Sequence, residues 1–190
     1  MKKRELRNEY LKKRIAFSAA DYAARNEAIL ERVKQHVDFA AVKVLHVFLP
    51  FLDRKEVDTR LINEYVSKNF PHVDIVVPKS NFDDITMESY RVDEHMELHE
   101  TKLGIDEPET GTFVEPGKID LVIAPLVIFD KKGYRVGYGK GFYDRFLKTC
   151  RPDVRTVGLC FFEPVETIDD VNEFDVPMNS CITPEKIWTF

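Results

Sequence analysis

Cysteine is scarce, with only Cys150, Cys160 and Cys181 in 190 residues, an odd number without a C-x-x-C pair. A disulfide framework and a cysteine zinc site are thereby disfavoured, and the thiols read as buried or incidental groups in a reducing compartment. A basic surplus is also missing: the formal net charge is −5, and the acidic residues are spread along the chain. That balance argues against a general nucleic-acid binder. No apolar run has the length of a membrane span, because Lys43, His46 and Pro125 interrupt the best ones. The first residues, Met-Lys-Lys-Arg-Glu-Leu-Arg, stay charged through Arg14 and lack the apolar centre of a signal peptide. Internal repeats and low-complexity linkers are absent as well. The expectation is one cytoplasmic, monomeric domain over residues 1–190, with no membrane or nucleic-acid partner.

Glycine is sparse too, yet four of the eight, Gly133, Gly137, Gly139 and Gly141, fall within nine residues. They belong to residues 133–145, Gly-Tyr-Arg-Val-Gly-Tyr-Gly-Lys-Gly-Phe-Tyr-Asp-Arg, between an apolar run at 121–129 and a helix-like stretch at 142–149. Glycine tolerates positive φ and lets backbone N–H groups close on an anion, so the loop reads as a phosphate cradle. Arg135 and Lys140 supply cations for phosphate oxygens. Asp144, in the first turn of the next helix, suits the Mg²⁺ that accompanies a nucleotide. Tyr138, Phe142 and Tyr143 add aromatic faces for a flat, ring-containing substrate. The competing reading is a strand-to-helix turn that uses glycine for packing alone.

Taken in order, residues 2–16 read as a helix with Leu6, Tyr10 and Ile15 on one face and Lys3, Arg4, Arg7, Lys12, Lys13 and Arg14 around the rest, a pattern that fits a solvated basic surface. Ser18 caps a second helix to about Val37, with Tyr22, Ile29, Val33 and Val37 inward. Residues 42–49 suit a strand buried on both faces, His46 being a core residue. A third helix starts at Asp58 or Thr59 and packs Leu61, Ile62, Tyr65 and Val66. A short strand follows at 74–77, ending at Pro78-Lys79, and residues 86–92 suggest an antiparallel edge. His95 and His99 with Glu97 and Glu100 read as a polar loop before a metal site, and 104–117 as a long irregular connection. One strand over 120–129, a turn at 130–133, the helix at 142–149, and strands at 154–161 and near 180–183 complete the chain. This alternation predicts a three-layer α/β/α sandwich with a mostly parallel central sheet and ligands outside the carboxyl ends of the strands.

Residues 133–145, preceded by Ile-Asp-Leu-Val-Ile-Ala-Pro-Leu-Val-Ile-Phe-Asp, resemble the signature of the 5-formyltetrahydrofolate cyclo-ligase family. The resemblance covers nearly the whole chain, including Gly104-Ile105-Asp106-Glu107-Pro108. It implies cyclisation of 5-formyltetrahydrofolate, with or without a polyglutamate tail, to 5,10-methenyltetrahydrofolate. ATP is the co-substrate, Mg²⁺ the cofactor, and ADP and phosphate are released. By resemblance, ATP contacts fall on Lys3, Arg4, Glu5, Leu6 and Arg7 and on Arg135, Val136, Gly137, Tyr138, Gly139, Lys140, Gly141, Phe142 and Tyr143. Arg135 and Lys140 are the implied catalytic residues. Folate contacts fall on Leu49, Phe51, Glu56, Tyr138, Gly139, Lys140, Gly141 and Phe142, with Glu56 accepting from pterin N–H groups. Asp144 and Asp175 are the implied metal ligands. The chain departs from the family's pattern in a longer, more basic run before Glu56 and in Phe142, where tyrosine is more usual. The rival readings are a sugar-phosphate isomerase or acyl-transfer enzyme on a similar sandwich, which would not need ATP, and a nucleotide or folate sensor without turnover.

Overall fold

A computed structural model describes residues 1–101 and 106–190, so Gly104 and Ile105 of the resemblance lie outside the described residues. Helix α1 (Lys3–Ile15) leads to α2 (Ala19–His36), whose first turn is capped by Ser18 Oγ accepting from Asp21 N–H at 3.1 Å. Strand β1 (Val44–Val47), helix α3 (Arg60–Asn69) and strands β2 (Asp74–Asn81) and β3 (Thr86–Arg91) follow. Strands β4 (Glu97–Glu100) and β5 (Asp106–Thr110) pair only with each other, antiparallel, as a small separate sheet. Then come β6 (Leu121–Pro125), β7 (Ile128–Phe129), β8 (Arg135–Val136), α4 (Phe142–Thr149), β9 (Arg155–Leu159), β10 (Ser180–Ile182) and β11 (Ile187–Thr189).

Seven of the described strands form one sheet in the order β11-β10-β9-β6-β1-β2-β3. Its interior pairs are parallel, and only the edge pairs β2–β3 and β10–β11 are antiparallel. Alternation along the strands makes the layers. Leu45, Val47, Leu121, Ile123, Val157 and Leu159 pack with Ile29 and Val33 of α2 and Ile62 and Val66 of α3. Val44, Val76, Val122 and Ala124 face the other way, onto Phe146 and Leu147 of α4. Each such side chain, fully buried, contributes about 1.5–3 kcal/mol, so the two faces rather than helix propensity hold the layers together. Helix α1 docks separately, through Leu6 against Ile128, Phe129 and Val136.

The predicted three-layer sandwich is present, with several local corrections. The run 120–129 is not one strand: β6 stops at Pro125, and β7 turns away to pair with β8. The turn expected at 130–133 closes that ribbon, with Gly133 N–H donating to Asp130 C=O at 3.0 Å and Gly133 at φ 85°. Strand β2 continues through Pro78 to Asn81, because beyond Val76 it pairs only with β3 and a missing N–H is tolerated on its open side. Residues placed in a loop, His99 among them, lie in β4 and β5. Ile15 is 46% exposed while Arg14 is 3% exposed, the reverse of the expected helix face. Residues 187–189, expected as a closing turn, form β11.

Candidate active site

The carboxyl ends of β1 and β6 open into a cavity of about 700 Å³, lined by Leu49 after β1 and by Pro125 at the end of β6. That volume suits a sizeable small-molecule ligand, and the position is the crevice where open α/β sheets bind them. The loop between β8 and α4 forms another part of the lining. Gly139 and Gly141 have φ of 95° and 75°, a left-handed backbone that favours glycine. Gly141 is the N-cap of α4 and offers no side chain to the first-turn N–H groups, so the helix begins without a side-chain cap beside the cavity.

Charge around this loop is arranged in pairs. Arg135, 8% exposed on β8, donates through Nη2 to Asp144 Oδ1 at 2.9 Å and through Nη1 to Val176 C=O at 2.7 Å. Val176 N–H donates to the same Asp144 oxygen at 3.0 Å. Burial lowers the Arg135 pKa against the opposing pull of Asp144, so the guanidinium is fixed by its carboxylate partner. Lys3 Nζ contacts both carboxylate oxygens of Asp175, at 2.6 and 2.5 Å. Arg7 donates through Nε to Gly137 C=O at 2.6 Å, and its guanidinium lies over Gly139, where a Cβ would meet Nη2 at 3.1 Å. Lys140 is exposed and has no ion-pair partner among the described residues.

A different arrangement surrounds Glu56, which is 5% exposed yet lines the cavity. Phe51 N–H donates to Glu56 Oε2 at 2.7 Å, and the Tyr138 side chain lines the same cavity. Burial pushes the Glu56 carboxyl up; the Phe51 N–H, the Arg14 and Arg54 charges and the Tyr138 hydroxyl oppose that rise. Tyr138 is in turn touched by Arg14, whose Nη2 donates to the phenol oxygen at 2.5 Å. Deeper in, Tyr143 OH lies 3.3 Å from His46 Nε2, and His46 Nδ1 lies 3.1 Å from Ser89 Oγ. Burial pushes the His46 pKa down to about 3, which keeps this core histidine neutral. Phe82, half exposed in the β2–β3 turn, meets Phe142 edge-on with centroids 5.1 Å apart, giving the cavity an aromatic rim.

Most of the expected site residues meet here: Lys3, Arg7, Leu49, Phe51, Glu56, Arg135, Gly137, Tyr138, Gly139, Lys140, Gly141, Phe142, Tyr143, Asp144 and Asp175 all line the one cavity. Arg4, Glu5, Leu6 and Val136 do not. At about 100° per residue, a helix face that presents Lys3 presents Arg7 one turn on and turns the three residues between them aside. Glu5 accepts from Lys2 N–H at the start of α1, Leu6 is 1% exposed against Phe129, and Val136 is 1% exposed within β8. Missed from the sequence were Arg14, Arg54, Phe82, Lys148 and Phe174. For Arg14 a signal existed, since positions 3, 7 and 14 share one helical face. The described residues bring no three His, Cys, Asp or Glu side chains together as a metal cluster, at His95 and His99 or elsewhere. No described helix is long and apolar enough to cross a membrane.

Residues 1–184 match the model of the 5-formyltetrahydrofolate cyclo-ligase family. A 5-formyltetrahydrofolate cyclo-ligase of Mus musculus is 29% identical over 95% of this chain and 92% of its own length. A probable 5-formyltetrahydrofolate cyclo-ligase of Schizosaccharomyces pombe is 30% identical over 72% of each chain. The solution structure of a 5,10-methenyltetrahydrofolate synthetase of Aquifex aeolicus superposes with a TM-score of 0.81 at 29% identity, covering 100% of this chain and 93% of that one. With a family match that runs almost end to end and a fold shared with a solved synthetase, the chain belongs to the 5-formyltetrahydrofolate cyclo-ligase family.

Proposed function

We propose that this chain cyclises 5-formyltetrahydrofolate to 5,10-methenyltetrahydrofolate at the expense of ATP. The observation that carries the reading is that one cavity joins a buried carboxylate able to accept pterin N–H bonds, Glu56, to a glycine loop flanked by Arg7, Arg135 and Lys140. The two substrates are thus held edge to edge, and proximity supplies much of the rate.

The formyl oxygen attacks the γ-phosphorus of ATP, and ADP leaves. N10 then attacks the activated formyl carbon, loses its proton to solvent, and inorganic phosphate departs as the C–O bond breaks. The five-membered methenyl ring results. Lys140 and the loop N–H groups hold the phosphates, while Arg135 lends charge from a fixed position beside Asp144. Leu49, Phe51, Tyr138 and Phe142 pack the rings of the folate. Asp144 and Asp175, two hard oxygen donors on the same lining, fit Mg²⁺, which takes one or two carboxylates together with phosphate oxygens and would neutralise charge on the nucleotide. Lys3 is paired with Asp175 and would be free to turn to the phosphates if Mg²⁺ took that carboxylate.

The test is direct: purified protein with MgATP and 5-formyltetrahydrofolate is followed by the near-UV absorbance of the methenyl product and by phosphate release. Product and phosphate in equal amounts are expected. ATP-independent turnover would favour the isomerase or acyl-transfer reading, and binding of both ligands without phosphate release would favour a sensor.

A further inference from the structure

Tyr143 leaves the first turn of α4 beside Asp144, lines the cavity, and ends on strand β1, where its hydroxyl lies 3.3 Å from His46 Nε2. The other ring nitrogen, Nδ1, lies 3.1 Å from Ser89 Oγ on β3. His46 and Ser89 are both 0% exposed, and the imidazole packs on the Phe146 ring with centroids 4.7 Å apart. A neutral imidazole has one N–H and one acceptor nitrogen, so it donates in one of its two contacts and accepts in the other. Ser89 decides which. Among the described residues its hydroxyl has one hydrogen-bond partner, His46 Nδ1, and a buried O–H left without an acceptor is costly. Ser89 therefore donates to Nδ1, the imidazole proton sits on Nε2, and Nε2–H donates to the Tyr143 oxygen. That oxygen makes no other hydrogen bond among the described residues, so the phenol's own proton is free for the cavity.

We propose that Ser89 and His46 are positioning residues for phosphoryl transfer, acting in series to keep the Tyr143 hydroxyl a hydrogen-bond donor to the oxygens of the transferring group. This rests on the reading of the glycine loop as the ATP site. A donor cannot serve the pterin N–H groups, which need an acceptor such as Glu56. It suits an oxygen, and Tyr143 stands two residues beyond Gly141 of the loop and next to Asp144, whose carboxylate anchors Arg135. A donor fixed there in advance stabilises negative charge on the phosphoryl oxygens as the group moves, with no reorganisation at the moment of reaction. The opposite tautomer would draw the phenol proton back onto Nε2 and present the ligand with lone pairs instead. A serine and a histidine that do not themselves line the cavity thus set the polarity of a group that does.

The experiment reads the His46 tautomer and then breaks it. Nitrogen-15 spectra of the imidazoles in the ligand-free wild type, with His46 assigned by its contacts to the Phe146 ring, are expected to show a protonated Nε2 and a bare Nδ1. Steady-state kinetics follow on Tyr143→Phe, Ser89→Ala, Ser89→Thr and the double variant of Tyr143→Phe with Ser89→Ala. Tyr143→Phe should lower kcat roughly 10²-fold, the effect of removing one donor to developing charge, with KM for ATP and for 5-formyltetrahydrofolate within about twofold of the wild type. Ser89→Ala, which frees the proton to move to Nδ1, should lower kcat roughly tenfold and bring up the Nδ1–H signal. Ser89→Thr, which keeps the hydroxyl, recovers part of the loss. The double variant is expected to be no slower than Tyr143→Phe alone, because Ser89 acts only through that hydroxyl. An Nδ1–H tautomer in the wild type would overturn the proposal. So would Ser89→Ala at the wild-type kcat, or a double variant about tenfold slower than Tyr143→Phe, which would leave Ser89 and His46 as core packing. A wild type with the Nε2–H tautomer but no ATP-dependent turnover of 5-formyltetrahydrofolate would instead bring down the ATP reading, while the hydrogen-bonded chain from Ser89 to Tyr143 stood.

Discussion

Around the glycine loop, Arg135 and Lys3 are already matched to Asp144 and Asp175, whereas the Glu56 carboxylate receives its hydrogen bond from a neutral donor, Phe51 N–H. The two regions are suited to different partners. A cation that sits on a carboxylate can exchange it for a phosphate oxygen at little net electrostatic cost, so in the first region the Lys3–Asp175 pair is replaceable while Arg135 stays fixed. A buried carboxylate held by a neutral backbone group keeps spare lone pairs for donors that arrive with a ligand, and so the second is a fixed acceptor.

The sharpest way to break the comparison is Arg135→Ala. It strands the Asp144 carboxylate and the Val176 carbonyl, so a loss of about 3 kcal/mol or more in denaturant stability and a fall of at least ~10²-fold in kcat are expected together. Lys140→Ala tests the unpaired end of the same region. Its kcat/KM should fall by roughly 10²-fold, with the denaturant midpoint within about 0.5 kcal/mol of the wild type. Gly139→Ala puts a side chain at positive φ and against Arg7, so about 1–3 kcal/mol of strain and a higher KM for ATP are expected, without change in the folate KM. Gentlest is Glu56→Gln, read by stability against pH. Burial raises the Glu56 pKa, so the folded chain binds that proton more tightly than the unfolded one, and stability falls as pH rises from the unfolded to the folded value. The glutamine variant should lose this fall and be more stable than the wild type at pH 7, while its folate KM rises. A less stable variant would show that the carboxylate is not held at a cost.

How far the sequence could be read depended on whether a residue's neighbours lay within its own element. Glycine punctuation and an amphipathic repeat placed α4 at residues 142–149 and the loop before it, as found. The break after Pro125 was hidden because Leu126 and Val127 stay buried on leaving the sheet, and an apolar run looks the same whether it continues or turns. β4 was invisible for the opposite reason: all four of its residues are exposed, so no alternation marks it as a strand. At the site, the resemblance brought residues 3–7 as a block, and helix geometry selects only Lys3 and Arg7 from it. Arg14 read as a solvated charge: it shares a helical face with Lys3 and Arg7, but its phenol partner lies 124 positions away, so that face alone did not mark it as buried.

Helix α1 carries Lys3 at one end, against Asp175, and Arg14 near the other, against Tyr138. Eleven residues at about 1.5 Å each make it a strut of roughly 16 Å between those two attachment points. One extra residue between Arg7 and Arg14 would turn the far end by about 100°, so that no docking of the helix could serve both attachments at once. The spacing of these basic residues is thus a measured length, and drift in it would be felt as a mismatch between the Asp175 and Tyr138 attachments before it was felt as unfolding.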